Sequence, residues 1–174
     1  MNRPHHPRRP WLALSVLLVP LIGCVQGENV NPYSLAQARR TWDQTKPADY
    51  DLEWTVSGAR KAHYLVSVRA GSVQSIESVG ADGKKSVLHP PDPSYYSVEG
   101  LFRALEDEAN QLLEPRPFGL PEGTVPKLEF DPDPSKGYPR RYRRHVNRRE
   151  GGLALDVIRL ETNLKTEKKS DVKS

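Results

Sequence analysis

Tyr50-Asp51-Leu52-Glu53-Trp54-Thr55-Val56 alternates apolar and polar side chains without a fault. Successive side chains of a β-strand point to opposite faces, so this pattern predicts a strand with one face on a core and one on solvent. The pattern repeats outward. Tyr64, Val66 and Val68 alternate again, Ala70-Gly71-Ser72 reads as a turn, and Val73 to Val79 reads as a third strand. Period-two stretches joined by short turns predict an antiparallel meander. Upstream, Ser34-Leu35-Ala36-Gln37 fits a capping box, and Leu35, Ala38 and Trp42 share one face of a helix that stops before Pro47. Downstream, Gly80 to Ser94 reads as a long loop, with Asp82-Gly83 and Pro90-Pro91.

A second helix is capped by Ser97. Val98, Leu101, Phe102, Leu105, Ala109, Leu112 and Leu113 follow the 3.6-residue period, and Glu99, Glu106, Asp107 and Glu108 fall on the opposite, outer face. Pro115 and Pro117 end it. Three further strands are expected at Thr124 to Asp131, Tyr138 to Asn147 and Leu153 to Glu161. The expected fold is α+β: an antiparallel sheet of about five to six strands with two helices packed on one face. A helix followed by three strands occurs twice, which hints at a duplication.

The ends of the chain differ from its middle. The 174 residues carry a net charge of +4. Residues 1–23 hold Arg3, Arg8 and Arg9 and no acid, so their removal leaves +1. From Asn163, Lys165, Lys168, Lys169 and Lys173 stand against Glu167 and Asp171, so the middle of the chain is near −1. This basic balance belongs to the ends and argues against a nucleic-acid partner. The Lys/Ser-rich residues 163–174 are expected to form a disordered polar tail.

Trp11 to Ile22 is almost wholly apolar and follows a basic start. The run is too short for a spanning helix, which needs about 20 residues. It reads as a secretion signal. It ends in Leu21-Ile22-Gly23-Cys24, which resembles the lipobox of bacterial lipoproteins. That resemblance implies removal of residues 1–23, with diacylglycerol on the Cys24 sulfur and an acyl chain such as palmitate on its amine. Cys24 is the single cysteine, so the chain forms no internal disulfide, and lipidation disposes of an otherwise free exported thiol. Val25 in place of an aspartate implies sorting to the outer membrane, facing the periplasm. Residues 24–33 then form the lipidated cysteine and a tether. Val25 to Pro32 spans at most about 26 Å.

Several features of the mature chain occur together. Tyr50 and Trp54 mark the first strand, and Gly71 the first strand pair. Tyr96 precedes Val98-Glu99-Gly100-Leu101-Phe102, and Phe130-Asp131 leads to Gly137-Tyr138-Pro139. In these the chain resembles a family of small bacterial lipoproteins whose shared domain has no assigned function. The resemblance covers residues 34–162, a single α+β domain. It implies fold and location and no chemistry.

The most unusual stretch is Arg140-Arg141-Tyr142-Arg143-Arg144-His145-Val146-Asn147-Arg148-Arg149. Arginine presents a planar fork of donors to phosphate or carboxylate. Arg140, Arg141, Arg143, Arg144, Arg148 and Arg149 are therefore candidates for contact with anionic lipid, an acidic cell-wall polymer or another envelope protein. The alternative is a solvent-facing strand whose arginines pair with Glu129, Asp131, Glu150 or Asp156. Trp42, Tyr50, Trp54, Tyr64 and Phe102 are either core or the lining of a small-ligand pocket. Asp131-Pro132-Asp133-Pro134-Ser135-Lys136-Gly137 reads as a turn and not a cation loop. His63, His89 and His145 lack ligand spacing, so no metal or cofactor is expected. No nucleophile elbow is present. The sequence thus predicts a non-catalytic, lipid-anchored binding or scaffolding protein, with a periplasmic small-ligand module as the alternative and a hydrolase third.

Overall fold

The structure, a computed structural model, describes residues 28–58, 60–146 and 152–162. The signal segment, Cys24, Arg148, Arg149, Glu150 and the tail from residue 163 lie outside the described residues. The elements are β1 (Glu28–Asn29), α1 (Pro32–Thr45), β2 (Tyr50–Gly58), β3 (Ala62–Arg69), β4 (Ser72–Val79), β5 (Lys85–Val87), α2 (Val98–Gln111), β6 (Lys127–Pro132), β7 (Pro139–His145) and β8 (Leu153–Glu161). They form one antiparallel sheet in the order β1-β6-β7-β8-β2-β3-β4-β5. The expected α+β class holds, and the sheet is wider than expected. The two additional strands are β1, inside the expected tether, and β5, inside the expected loop. Neither carries a side-chain period: β1 has two residues, and all three residues of β5 are exposed. Backbone pairing with one neighbour is what makes them strands.

The six long strands alternate as their sequences require. Tyr50, Leu52, Trp54, Val66, Val68, Ile76, Leu128, Phe130, Tyr142 and Leu155 bury one face. Leu35, Ala38 and Trp42 of α1 and Val98, Leu101, Phe102 and Leu105 of α2 cover it. At roughly 25 cal/mol per Å² this single apolar layer is the main source of stability. Each helix is followed by a three-stranded meander. β8 of the second meander pairs with β2 of the first, so the two helix-plus-meander units share one sheet.

Helix α1 starts earlier than Ser34. Asn31 is the N-cap, its side chain accepting from the Ser34 amide at 2.8 Å, and Ser34 completes the capping box. Pro32 takes the first turn, where no amide hydrogen is needed. Helix α2 begins at the expected cap, Ser97, whose hydroxyl accepts from Gly100 N at 3.2 Å. Leu113 lies past the end of α2 and is exposed.

Register fixes two ends of the sheet. At the near end lie the β6–β7 turn, the β3–β4 turn, the start of β2 and the end of β8. At the far end lie the β2–β3 link, the β4–β5 turn and the start of β8. Helix α1 ends at the near end, where Thr45 Oγ1 donates to the Lys136 carbonyl at 3.0 Å. Gly137 allows that approach: its φ is +80°, and a Cβ there would lie 2.4 Å from the Ala38 carbonyl oxygen.

Candidate functional site

Strand alternation divides the arginines of β7 between two environments. Arg144, like Tyr142, is on the helix side. Its Nη1 lies 2.8 Å from both oxygens of Glu108 on α2, and its guanidinium stacks 4.1 Å above the Phe118 ring. Glu108 also accepts the Tyr142 hydroxyl at 2.6 Å. Burial, then that carboxylate, pushes the Tyr142 phenol well above its ordinary range. Arg144 is thereby a strut between strand and helix.

Arg141, Arg143 and His145 face the side of the sheet that neither α1 nor α2 covers. Arg143 donates to Asp156 on β8 at 2.6 Å and to the carbonyls of Tyr142 and Leu155 at 2.8 and 3.0 Å. Arg140 donates to Asp131 at 2.7 Å, a bond that holds its guanidinium pKa above the ordinary value. Asp131 is the one charged side chain among the fully buried residues described. Arg141 approaches the same carboxylate only to 3.7 Å and is 50% exposed. Glu129 accepts from Lys127 at 2.7 Å and contacts His145 at 3.2 Å, and the Lys127 bond above all lowers its pKa.

These groups line an open groove of about 200 Å³ between β6 and β7, walled by Glu129, Phe130, Asp131, Arg141, Arg143 and His145. The same face continues with paired charges. Asp51 meets Arg69 at 2.9 Å, Glu53 meets His63 at 2.9 Å and Arg159 at 3.3 Å, and Arg159 also reaches Glu161 at 3.0 Å. Each exposed pair contributes at most about 1 kcal/mol. Together they keep a broad, flat sheet face from stacking on another. Chemically, the groove offers donors and acceptors side by side, which suits a partner carrying both signs better than a bare anion.

The sequence-expected pairings with Asp131 and Asp156 are present. Glu129 serves Lys127 and His145 instead of an arginine, and Arg148, Arg149 and Glu150 lie outside the described residues. Two carboxylates assigned to the outer face of α2 turn toward the sheet. One is Glu108. The other is Glu99, which accepts from Trp42 Nε1 and the Tyr50 hydroxyl at 3.1 Å each, with Lys46 Nζ at 3.6 Å. Their partners are 34 to 57 residues distant, so no local pattern marks them. The one local signal is an acid in the first turn of α2, where the helix dipole favours Glu99.

Of the five aromatics, Trp42, Tyr50 and Phe102 are fully buried core. Trp54 is mostly buried, 4.7 Å from Tyr64 and 6.1 Å from Tyr96 between ring centres, and its Nε1 has no hydrogen-bond partner among the described residues. The segment from Asp131 to Gly137 is a turn: Asp133 accepts from the amides of Ser135 and Lys136 at 3.0 and 2.8 Å. A second groove, of about 330 Å³, lies between α1 and this turn, with Ser34, Gln37, Thr41, Asp131 and Asp133 among its walls. Among the described residues no three His, Cys, Asp or Glu side chains are grouped to hold a metal, and no helix is long and apolar enough to cross a membrane. Comparison with models of known families, with curated proteins and with solved structures finds no match.

Proposed function

We propose that this chain is an exported bacterial envelope protein, anchored by lipid on Cys24, that acts by binding or scaffolding at the membrane surface without catalysing a reaction. The observation that carries the reading is the asymmetry of the sheet. One face is sealed by aromatic and aliphatic side chains under two helices, and the other, which no element among the described residues covers, is lined with Arg141, Arg143, His145 and their carboxylate partners. A filled core leaves the open face as the place for a partner. Support for the anchor is the Leu21-Ile22-Gly23-Cys24 run with the single cysteine, and Val25 favours the periplasmic side of the outer membrane. The partner is an envelope protein or cell-wall polymer presenting both charges. A second reading, a small-ligand module, draws on the buried Trp54 Nε1, a donor beside Tyr64 and Tyr96 that a polar ligand group would satisfy.

Two measurements test the leading reading. In fractionated cells, the wild-type chain sediments with membranes and Cys24→Ala does not. A photo-crosslinking residue at position 141, on the open face, gives a discrete adduct in cells that one at position 40, exposed on α1, does not. A membrane-bound Cys24→Ala chain sinks the anchor, and equal crosslinking at the two positions sinks the open face as the contact.

A further inference from the structure

Register builds a slot for a lysine on the open face. Leu65 of β3 lies directly between Glu53 on β2 and Glu77 on β4. All three alternate onto the face that carries Arg141: Glu53 is two residues from Thr55, Thr55 pairs with Asp156, and Asp156 pairs with Arg141. Glu53, Leu65 and Glu77, with Asp51, Arg159 and Glu161, wall a groove of about 200 Å³. An apolar floor between two carboxylates suits a lysine, whose methylene stem covers the leucine while its ammonium reaches the acids. The cations already present leave room for one more. Arg159 is shared between Glu53 at 3.3 Å and Glu161 at 3.0 Å, and Lys85 comes only to 3.4 Å of Glu77. His63 holds the other oxygen of Glu53 at 2.9 Å, and each carboxylate oxygen accepts a second bond.

Arg141 offers the opposite charge. It is 50% exposed, and it stands 3.7 Å from an Asp131 oxygen that already accepts from Arg140 at 2.7 Å. Its planar fork of donors is therefore left for a carboxylate from outside. Arg141 and Leu65 are three strand spacings apart, across β8 and β2, and offset by two residues along β2. At about 4.8 Å per strand and 3.3 Å per residue their Cα atoms are about 16 Å apart. Between them β8 bulges at Glu53 and Trp54, and the extra residue, Ile158, is an apolar side chain that is 59% exposed. The charges of the face divide the same way. Along β6 and β7, Lys127, Arg140, Arg141 and Arg143 outnumber Glu129 and Asp131, and along β8 and β2, Asp51, Glu53, Asp156 and Glu161 outnumber Arg159.

In an extended chain every second side chain shares a face, and residues four apart are about 13 Å apart, which leaves the rest of the span to a lysine stem. From this arrangement we propose that the open face binds an extended segment of a partner protein with a lysine, an apolar residue and an acidic residue at every second position. The lysine lies over Leu65 between Glu53 and Glu77, the apolar side chain meets Ile158, and the carboxylate takes the fork of Arg141. The proposal rests on the reading of the open face as a contact surface, and it gives the partner a sequence pattern. An anionic headgroup or a purely basic segment meets only one of the two charged stripes.

The test uses the full-length chain in an uncharged detergent and an end-blocked peptide, Lys-Ser-Val-Ser-Glu, carrying an uncharged dye read by fluorescence anisotropy. This peptide binds at least about fivefold more tightly than versions with glutamine in place of the lysine or of the glutamate, the upper value for one exposed ion pair. Salt at about 1 M, where screening acts over roughly 3 Å, removes the preference. Arg141→Ser lowers the affinity to that of the peptide lacking glutamate and leaves the affinity of that peptide unchanged, which shows that the variant is folded. Glu77→Gln does the same with respect to the peptide lacking lysine. Equal binding of the three peptides overturns the proposal, and so does a preference that survives both substitutions. Tighter binding of a peptide with its lysine and glutamate adjacent overturns the spacing, and tighter binding of solubilised cell-wall fragments overturns the assignment to a protein segment. Those results leave the contact surface standing, whereas equal crosslinking at positions 141 and 40 in cells overturns that reading and this proposal together.

Discussion

Glu99 should be the side chain whose loss most disturbs how the two helices sit on the sheet. Its carboxylate accepts from Trp42 on α1 and Tyr50 on β2 while belonging to the first turn of α2. The Tyr50 hydroxyl in turn accepts from Val98 N at 3.3 Å, and Tyr50 is fully buried. A hydrogen bond to a charged group contributes about 1.5–3 kcal/mol. Two such bonds would give about 3–6 kcal/mol, but the Glu99 side chain is 35% exposed, and water replaces part of each bond in the variant. We expect Glu99→Ala to cost about 2–3 kcal/mol and Glu99→Gln about 1–2 kcal/mol, because the amide keeps one acceptor oxygen for two donors. Burial opposes the charged form of Glu99. It is outweighed by hydrogen bonds from its own backbone, Trp42 and Tyr50 and by the charge of Lys46, so the folded pKa lies below 4.5. A lowered folded pKa means that the contribution is complete above 4.5 and lost as pH falls through the folded value. The assay is urea unfolding followed by tryptophan fluorescence, on a chain starting at Val25. Every core residue among those described lies between Val30 and Leu160, so this chain keeps that core. The stability gap between wild type and Glu99→Gln should be full at pH 7 and shrink below pH 4.5. A gap under about 0.5 kcal/mol at pH 7, or one that does not change down to pH 3, refutes the reasoning.

Gly137→Ala should destabilise by about 3 kcal/mol or more, from its positive φ and the Ala38 carbonyl in the way. Gly83→Ala, with φ +77° but open space, should cost only about 1 kcal/mol. Thermal melts of both variants check the difference, and equal costs would remove the close approach of α1 as its cause. Arg143→Met should cost about 1–2 kcal/mol by denaturant titration, because it deserts Asp156 and two carbonyls, whereas Arg141→Ser should stay within about 0.5 kcal/mol. If Arg141→Ser is the more damaging of the two, the bonds of Arg143 to Asp156 and the two carbonyls are not what holds this face.

The parts of the fold that were legible were those with a period. The faultless alternation from Tyr50 to Val56 became all of β2 but its last two residues, and Leu153 to Glu161 became β8 with the expected bounds. The apolar face of α2 and its Ser97 cap were equally clear. The Ser34 box was misplaced by three residues because Asn31-Pro32 supplies an equally good cap, and the cap chosen is the one that lets Val30 donate to Leu128 at the sheet edge. β1 and β5 were invisible because two or three residues held by backbone bonds carry no pattern.

The arginine strand shows the same division at the level of the site. Composition by itself determined that six arginines without an acid occupy one short segment, and that acids must stand nearby if the segment is to fold as a strand. It did not determine which. Register placed Asp131 beside Arg140 and Asp156 beside Arg143, and helix packing brought Glu108 over Arg144. Periodicity is a property of neighbours along the chain, and the sequence contains it. The partner of a charge is set by which distant strands and helices lie alongside, and only the folded sheet decides that.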